Sequence, residues 1–207
     1  MQNELAQPQQ HTRSTLIASY WKVITHPGSQ TFRTEKLNAR WGSIWLQLLF
    51  LSIISTVLFV ISSFITPPQV SAVAGMNAET AKSVTIITSA IVTFIVTPIS
   101  FLVSSAILFG LAKAFKGTGS YLQQTYALVL IGVPMVLLSS LLQLIPATTN
   151  WLPYLPHLYS LVLVFFALKG IHDLTSGKAL TIILLPLGLL LLLAILISVV
   201  VILILPH

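Results

Sequence analysis

The chain contains no cysteine, and this absence excludes several kinds of chemistry. Disulfides, thiolate nucleophiles, iron–sulfur clusters and cysteine zinc sites all require a thiol. Acidic residues are also scarce, since Asp and Glu together number 4. The 5 histidines show no HExxH spacing or other ligand pair, and no nucleophile is spaced with a base. We therefore expect no catalytic activity, no cofactor and no metal ion.

Charged residues of both signs are scarce in this chain. Charged residues make up 7% of the chain, against about 25% in a typical soluble domain, while hydrophobic residues make up 56%. A water-soluble surface cannot be built from this composition. The formal net charge is +6, but the basic residues fall between long apolar runs instead of clustering along one folded face. We therefore expect no nucleic-acid partner, and we expect anionic lipid headgroups as partners of the basic residues.

The apolar residues form five runs that are long enough, or nearly so, for the roughly 20 residues that a helix needs to cross the hydrocarbon. These runs predict an all-α, polytopic membrane bundle of about five transmembrane helices, over residues 44–65, 83–111, 126–145, 154–168 and 179–205. Pro98, Pro134 and Pro186 lie inside three of the runs. Each proline bends the helix or breaks it, and a break would make the segment re-entrant.

The positions of the basic residues test this count, because short cytoplasmic loops are enriched in Lys and Arg. With five spans, all of the 10 basic residues except Lys82 fall on one side. The N-terminus is therefore predicted to be cytoplasmic and the C-terminus to lie on the opposite side. We expect lipid or partner contacts at Arg13, Lys22, Arg33, Lys36, Arg40, Lys113 and Lys116. His172 and Asp173, in the last cytoplasmic loop, are predicted to reach water.

The first forty residues are polar and contain no apolar core followed by a cleavage site, so we expect no cleaved signal peptide. We divide the chain into a basic tail over residues 1–40 and a transmembrane domain over residues 41–207. A short interfacial amphipathic helix is predicted around residues 14–26, capped by Ser14 or Thr15. The alternative is a frayed tail. The predicted apolar face consists of Leu16, Ile17, Tyr20, Trp21 and Ile24.

Hydroxyl side chains form a stripe along the second span, within an arc of about 120° at 3.6 residues per turn. The stripe consists of Thr85, Ser89, Thr93, Thr97, Ser100 and Ser104. Such a stripe can line a polar path for a solute. It can equally be a packing face, because small hydroxyl residues let helices approach closely and hydrogen-bond across the interface. The sequence leaves both interpretations open.

Three segments resemble the Yip1-domain family of five-span membrane proteins in its compact bacterial form. They are WKVITHPGSQTFR at residues 21–33, LVLIGVPMVLLSSLLQLIP at 128–146 and YSLVLVFFALKGIHDLTSGKALTIILLP at 159–186. The resemblance implies a cytoplasmic tail, five spans and a bacterial inner-membrane location. Eukaryotic relatives are associated with small Rab-type GTPases and vesicle formation. This chain lacks their long tail and its acidic and aromatic motif, so the resemblance implies no GTPase partner.

Two functional hypotheses follow. The first is a Yip1-like membrane protein without enzymatic activity, acting through protein or lipid contacts in membrane organisation or trafficking, with protein partners or a homo-oligomer as further candidates. The second is a small-solute or ion transporter or channel that uses the hydroxyl stripe and the proline-containing helices as a pathway.

Overall fold

The computed structural model describes residues 15–66, 77–145 and 151–204, and these residues form helices and short connections without a strand. The described residues begin with two short helices and continue with five long ones. They are α1 (Leu16–Thr25), α2 (Ser29–Glu35), α3 (Trp41–Ile65), α4 (Ala78–Ala114), α5 (Tyr121–Gln143), α6 (Leu155–His172) and α7 (Ser176–Ile204). Single 3-10 turns follow α2, at Lys36–Asn38, and precede α6, at Leu152–Tyr154.

Within the described part of the chain, the predicted count of five spans is confirmed, because α3 to α7 are all long and apolar enough to cross a membrane. The structure changes some of the predicted ends. α4 is 37 residues long, since it begins at Ala78 and continues to Ala114. α6 extends past Leu168 to His172, and α7 begins at Ser176 instead of Ala179.

The three prolines lie within continuous helices, so in the described residues none of them breaks its span. Pro98 removes one backbone donor from the middle of α4. Thr97, the residue directly before Pro98, donates its hydroxyl to the Thr93 carbonyl at 2.6 Å. The re-entrant alternative is therefore wrong for these segments, and α4, α5 and α7 are each long enough to cross a membrane as one helix.

α5 is the central helix of the bundle, because α1, α3, α4 and α6 all pack against it. Its N-terminus is fixed by a capping box in which Ser120 and Gln123 satisfy each other's backbone N–H groups. Most of the helix is buried between Gln124 and Met135. The main hydrophobic core therefore forms around α5, with buried contributions from α1, α2, α3 and α6.

The predicted tail helix exists as α1, and the Thr15 hydroxyl caps it by accepting from the Ala18 N–H at 3.4 Å. The residues of its predicted apolar face do not all point the same way. Tyr20 turns toward the bundle, where its hydroxyl donates to the Gln47 side chain at 2.7 Å. Ile17 and Trp21 point outward and are 79% and 69% exposed. α1 is thus docked on the bundle and still presents an apolar ridge.

α2 was not predicted, because the sequence SQTFRTE has no apolar periodicity. It is held by tertiary contacts instead. Phe32 is fully buried in the core, and α2 packs against the C-terminal half of α6. Gly170 of α6 permits this close approach, since a Cβ at that position would meet the Ser29 carbonyl oxygen and, at 3.0 Å, the Phe32 side chain.

Candidate functional site

The tail, the α4–α5 connection and the α6–α7 connection meet at one end of the bundle, which we call the basic end. Arg33 of α2 forms an ion pair with Asp173 at 2.7 Å. The Thr118 N–H donates to the His172 carbonyl at 3.1 Å, and the Lys178 ammonium donates to the Phe115 carbonyl at 3.4 Å. Segments predicted to share one side of the membrane therefore do lie together.

Several of the predicted contact residues at this end are used to hold the tail in place. Lys22 of α1 pairs with Glu35 of α2 at 3.1 Å. The Glu35 carboxylate is buried, and it also accepts hydrogen bonds from Ser19 at 2.9 Å and from Asn38 at 3.4 Å. A buried carboxylate needs such partners to offset its lost hydration. Lys22 is thus a docking residue for α1 as well as a surface charge.

Lys36 and Arg33 stabilise the C-terminal end of α6. Lys36 donates to the carbonyls of Gly170 and Ile171 at 3.5 and 3.4 Å, where the helix presents unpaired acceptors. Burial alone would raise the pKa of Asp173. Hydrogen bonds from Arg33 and Thr118, with the charges of Lys36 and Arg33, outweigh that effect and hold the pKa of this carboxyl below its usual value.

The α4–α5 connection places two further lysines at the basic end. Lys113 donates to the Gly117 carbonyl at 3.0 Å and lies 5.4 Å from the Phe109 ring centroid. By contrast, the side chains of Arg40 and Lys116 form no hydrogen bond or ion pair with any described residue. Of the predicted contact residues, these two exposed cations are therefore the ones whose side chains are not held by other described residues; we call them uncommitted. Arg13 lies outside the described residues.

Below the basic end, a buried polar network contradicts the expectation that His172 reaches water. His172 is 1% exposed, and its Nε2 donates to the Gln124 side-chain oxygen at 2.8 Å. The Gln124 amide in turn donates to the Ser105 carbonyl at 2.8 Å, and the Ser105 hydroxyl is 2.8 Å from that of Thr125. The histidine is buried because the α4–α5 connection folds over it.

Two glycines make that cover possible. A Cβ at Gly117 would lie 2.8 Å from His172 Nδ1, and one at Gly119 would lie 3.0 Å from the same atom. The Nδ1 atom has no hydrogen-bond partner among the described residues. Sequence reasoning did not find this network, because His172 and Gln124 are 48 positions apart. The KGTGS segment of closely spaced glycines is the signal that was available.

The hydroxyl stripe of α4 borders a cavity of about 550 Å³ between α3, α4, α5 and α6. Thr93, Thr97, Ser100 and Ser104 line it, whereas Thr85 and Ser89 do not. The other helices add hydroxyls from Ser55, Ser140 and Ser160, and the remaining walls are largely apolar.

The hydroxyl donors of the stripe are in part satisfied by backbone. Thr85 donates to the Ala81 carbonyl at 2.8 Å, and Ser100 donates to that of Thr97 at 3.0 Å. Ser105 connects the two polar features, because it lines the cavity and also belongs to the buried network of His172.

Comparison with known proteins agrees with this architecture. The Yip1 domain family model matches residues 21–198, which include α3 to α6 and most of α7. Searches of curated proteins and of solved structures found no match. The chain therefore belongs to the Yip1 domain family of membrane proteins.

Proposed function

We propose that this chain is a multi-pass membrane protein without catalytic activity, which acts through contacts of its basic end with anionic lipid headgroups and with protein partners. The observation that carries the proposal is the convergence of cations from the tail and both connections on one end. Lysine and arginine side chains near an anionic surface contribute roughly 1 kcal/mol each to membrane attraction. Arg40 and Lys116 are exposed and uncommitted, so they are the first residues to test.

The tail strengthens this proposal. Ile17 and Trp21 lie one helical turn apart on the outer face of α1, next to Lys22. An apolar ridge bordered by cations is the pattern of a helix that lies in the headgroup region. Because positive residues favour the cytoplasmic side, we place the basic end in the cytoplasm and propose the inner membrane of a bacterium as the location.

Photocrosslinking in proteoliposomes tests the lipid contact. Photoactivatable phosphatidylglycerol and phosphatidylcholine, matched in their acyl chains, would be compared on the full chain and on the double variant Arg40→Gln/Lys116→Gln. We expect the double variant to lose most of the excess phosphatidylglycerol labelling and to keep its phosphatidylcholine labelling. Lys82→Gln, which removes a charge at the other end, is the matched control. Equal labelling by both lipids on the unmodified chain would refute the lipid contact.

A second candidate function is solute transport, favoured by the cavity in which four helices contribute hydroxyls. Its test is the triple variant Thr93→Ala/Thr97→Ala/Ser100→Ala in proteoliposomes loaded with K⁺, Na⁺ or H⁺ reporters. A transport pathway predicts lost flux with an unchanged melting temperature. A packing role predicts the opposite pattern, namely a lower melting temperature and no flux in either protein.

A further inference from the structure

An apolar groove opens on the outer surface between α6 and α7. The two helices run antiparallel from the short connection at residues 173–175, and the groove between them has a volume of about 430 Å³. Aliphatic and aromatic side chains form its walls. They are Leu161, Val162, Phe165, Leu180, Leu184 and Leu187.

A lysine lies at the basic-end mouth of this groove. Lys169 donates to the Ser176 hydroxyl at 2.8 Å and lies 5.3 Å from the centroid of the Phe165 ring. Phe165 and Ser176 are themselves lining residues. Among the described residues no carboxylate pairs with Lys169. Lys169 therefore places a positive charge, with no carboxylate beside it among the described residues, at the basic-end mouth of the apolar groove.

The length of the groove is close to the thickness of one leaflet. From Ser176 to Leu187, α7 rises about 16 Å, which is close to half of the roughly 30 Å hydrocarbon core. The acyl chain of a lipid whose headgroup lies at the basic end would match this depth. A helix from a second copy would cover the apolar walls, but the predicted spans of this chain contain no carboxylate that could pair with Lys169. A lipid supplies the anion and the chain in one molecule.

We propose that this groove is a specific binding site for one anionic glycerophospholipid, with an acyl chain between α6 and α7 and the headgroup phosphate on the Lys169 ammonium. The inference rests on the proposed function, because it takes the basic end to face anionic lipid. It goes further by assigning a defined site and a lysine that was not among the predicted contact residues.

Native mass spectrometry of the full chain, released from micelles that contain equal amounts of phosphatidylglycerol and phosphatidylcholine with the same chains, tests the site. We expect one phosphatidylglycerol to remain bound in preference to phosphatidylcholine. Lys169→Gln should lower that retention roughly tenfold, the effect of losing one charge-assisted hydrogen bond. Leu180→Trp should fill the groove and lower the retention of both lipids.

Two controls separate the site from general effects. Leu191→Trp makes the same substitution on α7 at a position that is 64% exposed and outside the groove. Lys82→Gln removes one charge at the opposite end. Both should retain phosphatidylglycerol as the unmodified chain does, and circular dichroism would establish that Leu180→Trp is folded. Added inorganic phosphate should not displace the lipid, because free phosphate lacks the acyl chain.

The proposal is overturned if Lys169→Gln and folded Leu180→Trp both retain phosphatidylglycerol, if phosphatidylcholine is retained equally, or if inorganic phosphate displaces the lipid. The proposed function and the proposed site can fail independently of each other. If Arg40→Gln/Lys116→Gln loses anionic-lipid crosslinking while Lys169→Gln keeps its bound lipid, the contact of the basic end stands and the site does not. If anionic lipid is preferred in neither experiment, both fall.

Discussion

α5 and α7 differ in how they are used, although both are apolar membrane spans. α7 is the more apolar of the two helices, yet much less of it is buried within the bundle than of α5. The polar residues of α5, such as Gln124 and Thr125, make its buried hydrogen bonds. In a bundle surrounded by lipid, the less apolar helix is therefore the central one.

The burial of α7 is confined to its first turns. Ala179, Ile182 and Ile183 pack against α4 and α6, whereas the leucines beyond them are exposed. The basic end is thus the tightly packed half of the molecule, and the far part of α7 has lipid as its main neighbour. This contrast predicts that equivalent substitutions in the two helices have unequal effects.

The largest difference is expected for leucine truncation. Leu130 of α5 is fully buried and Leu190 of α7 is 63% exposed. Leu130→Ala should lower the free energy of unfolding by about 2–5 kcal/mol, because it leaves a cavity in the core. Leu190→Ala should change it by less than about 0.5 kcal/mol. Unfolding in mixed micelles measures both values, and equal losses would show that α7 is packed along its length.

Glycine substitutions are also expected to have different effects in packed and in lipid-facing helices. Gly170→Ala places a methyl group against the backbone of α2 and should cost about 1–3 kcal/mol by overpacking. Gly188→Ala on α7 meets no atom within 4 Å and should be neutral or slightly stabilising. Melting temperatures in detergent compare the two variants. An unaffected Gly170→Ala would mean that α2 does not pack on α6.

A smaller effect is expected where the tail is docked. Burial, and then the nearby Tyr126, raise the pKa of Tyr20 far above its usual value, so its hydroxyl stays protonated and donates to Gln47. Tyr20→Phe should cost about 1 kcal/mol and speed hydrogen exchange in α1. Trp21→Phe, on the exposed face, is the matched control. Unchanged exchange in Tyr20→Phe would indicate that lipid alone holds α1.

The smallest effect is expected at the exposed pair of Arg33 and Asp173, since such pairs contribute about 0–1 kcal/mol. Because folding lowers the pKa of Asp173, its contribution is present above the ordinary value of 3.8 and is lost as the pH falls through the lower folded value. Asp173→Asn keeps a side chain that tolerates the left-handed backbone at φ 53°. The melting temperatures of the unmodified chain and of Asp173→Asn should differ at pH 7. They should converge when the pH falls below the folded pKa of Asp173.

The number of spans could be predicted because two independent patterns agree. The lengths of the apolar runs require five crossings, and the clustering of Lys113, Lys116, Lys169 and Lys178 with the tail requires the same alternation. The predicted ends of the helices were less accurate than their number. α6 continues about one turn beyond its predicted end, because it packs against α2 in a contact that no local sequence pattern encodes.

The site was predictable only in part. Thr93, Thr97, Ser100 and Ser104 line one cavity, as a helical stripe allows, but Thr85 and Ser89 lie beyond the point where the other helices border it. The buried positions of Glu35 and His172 could not be predicted, because each depends on partners from other elements. Charge and polarity in the sequence do not show whether a residue faces water or a buried partner.

A structure of the purified chain in nanodiscs containing phosphatidylglycerol would show whether the basic end binds anionic lipid. We expect headgroup density beside Arg40, Lys116 and Lys169 at the basic end, and acyl-chain density around the far part of α7. A basic end without lipid density, together with solute density in the hydroxyl-lined cavity, would contradict this expectation and favour transport.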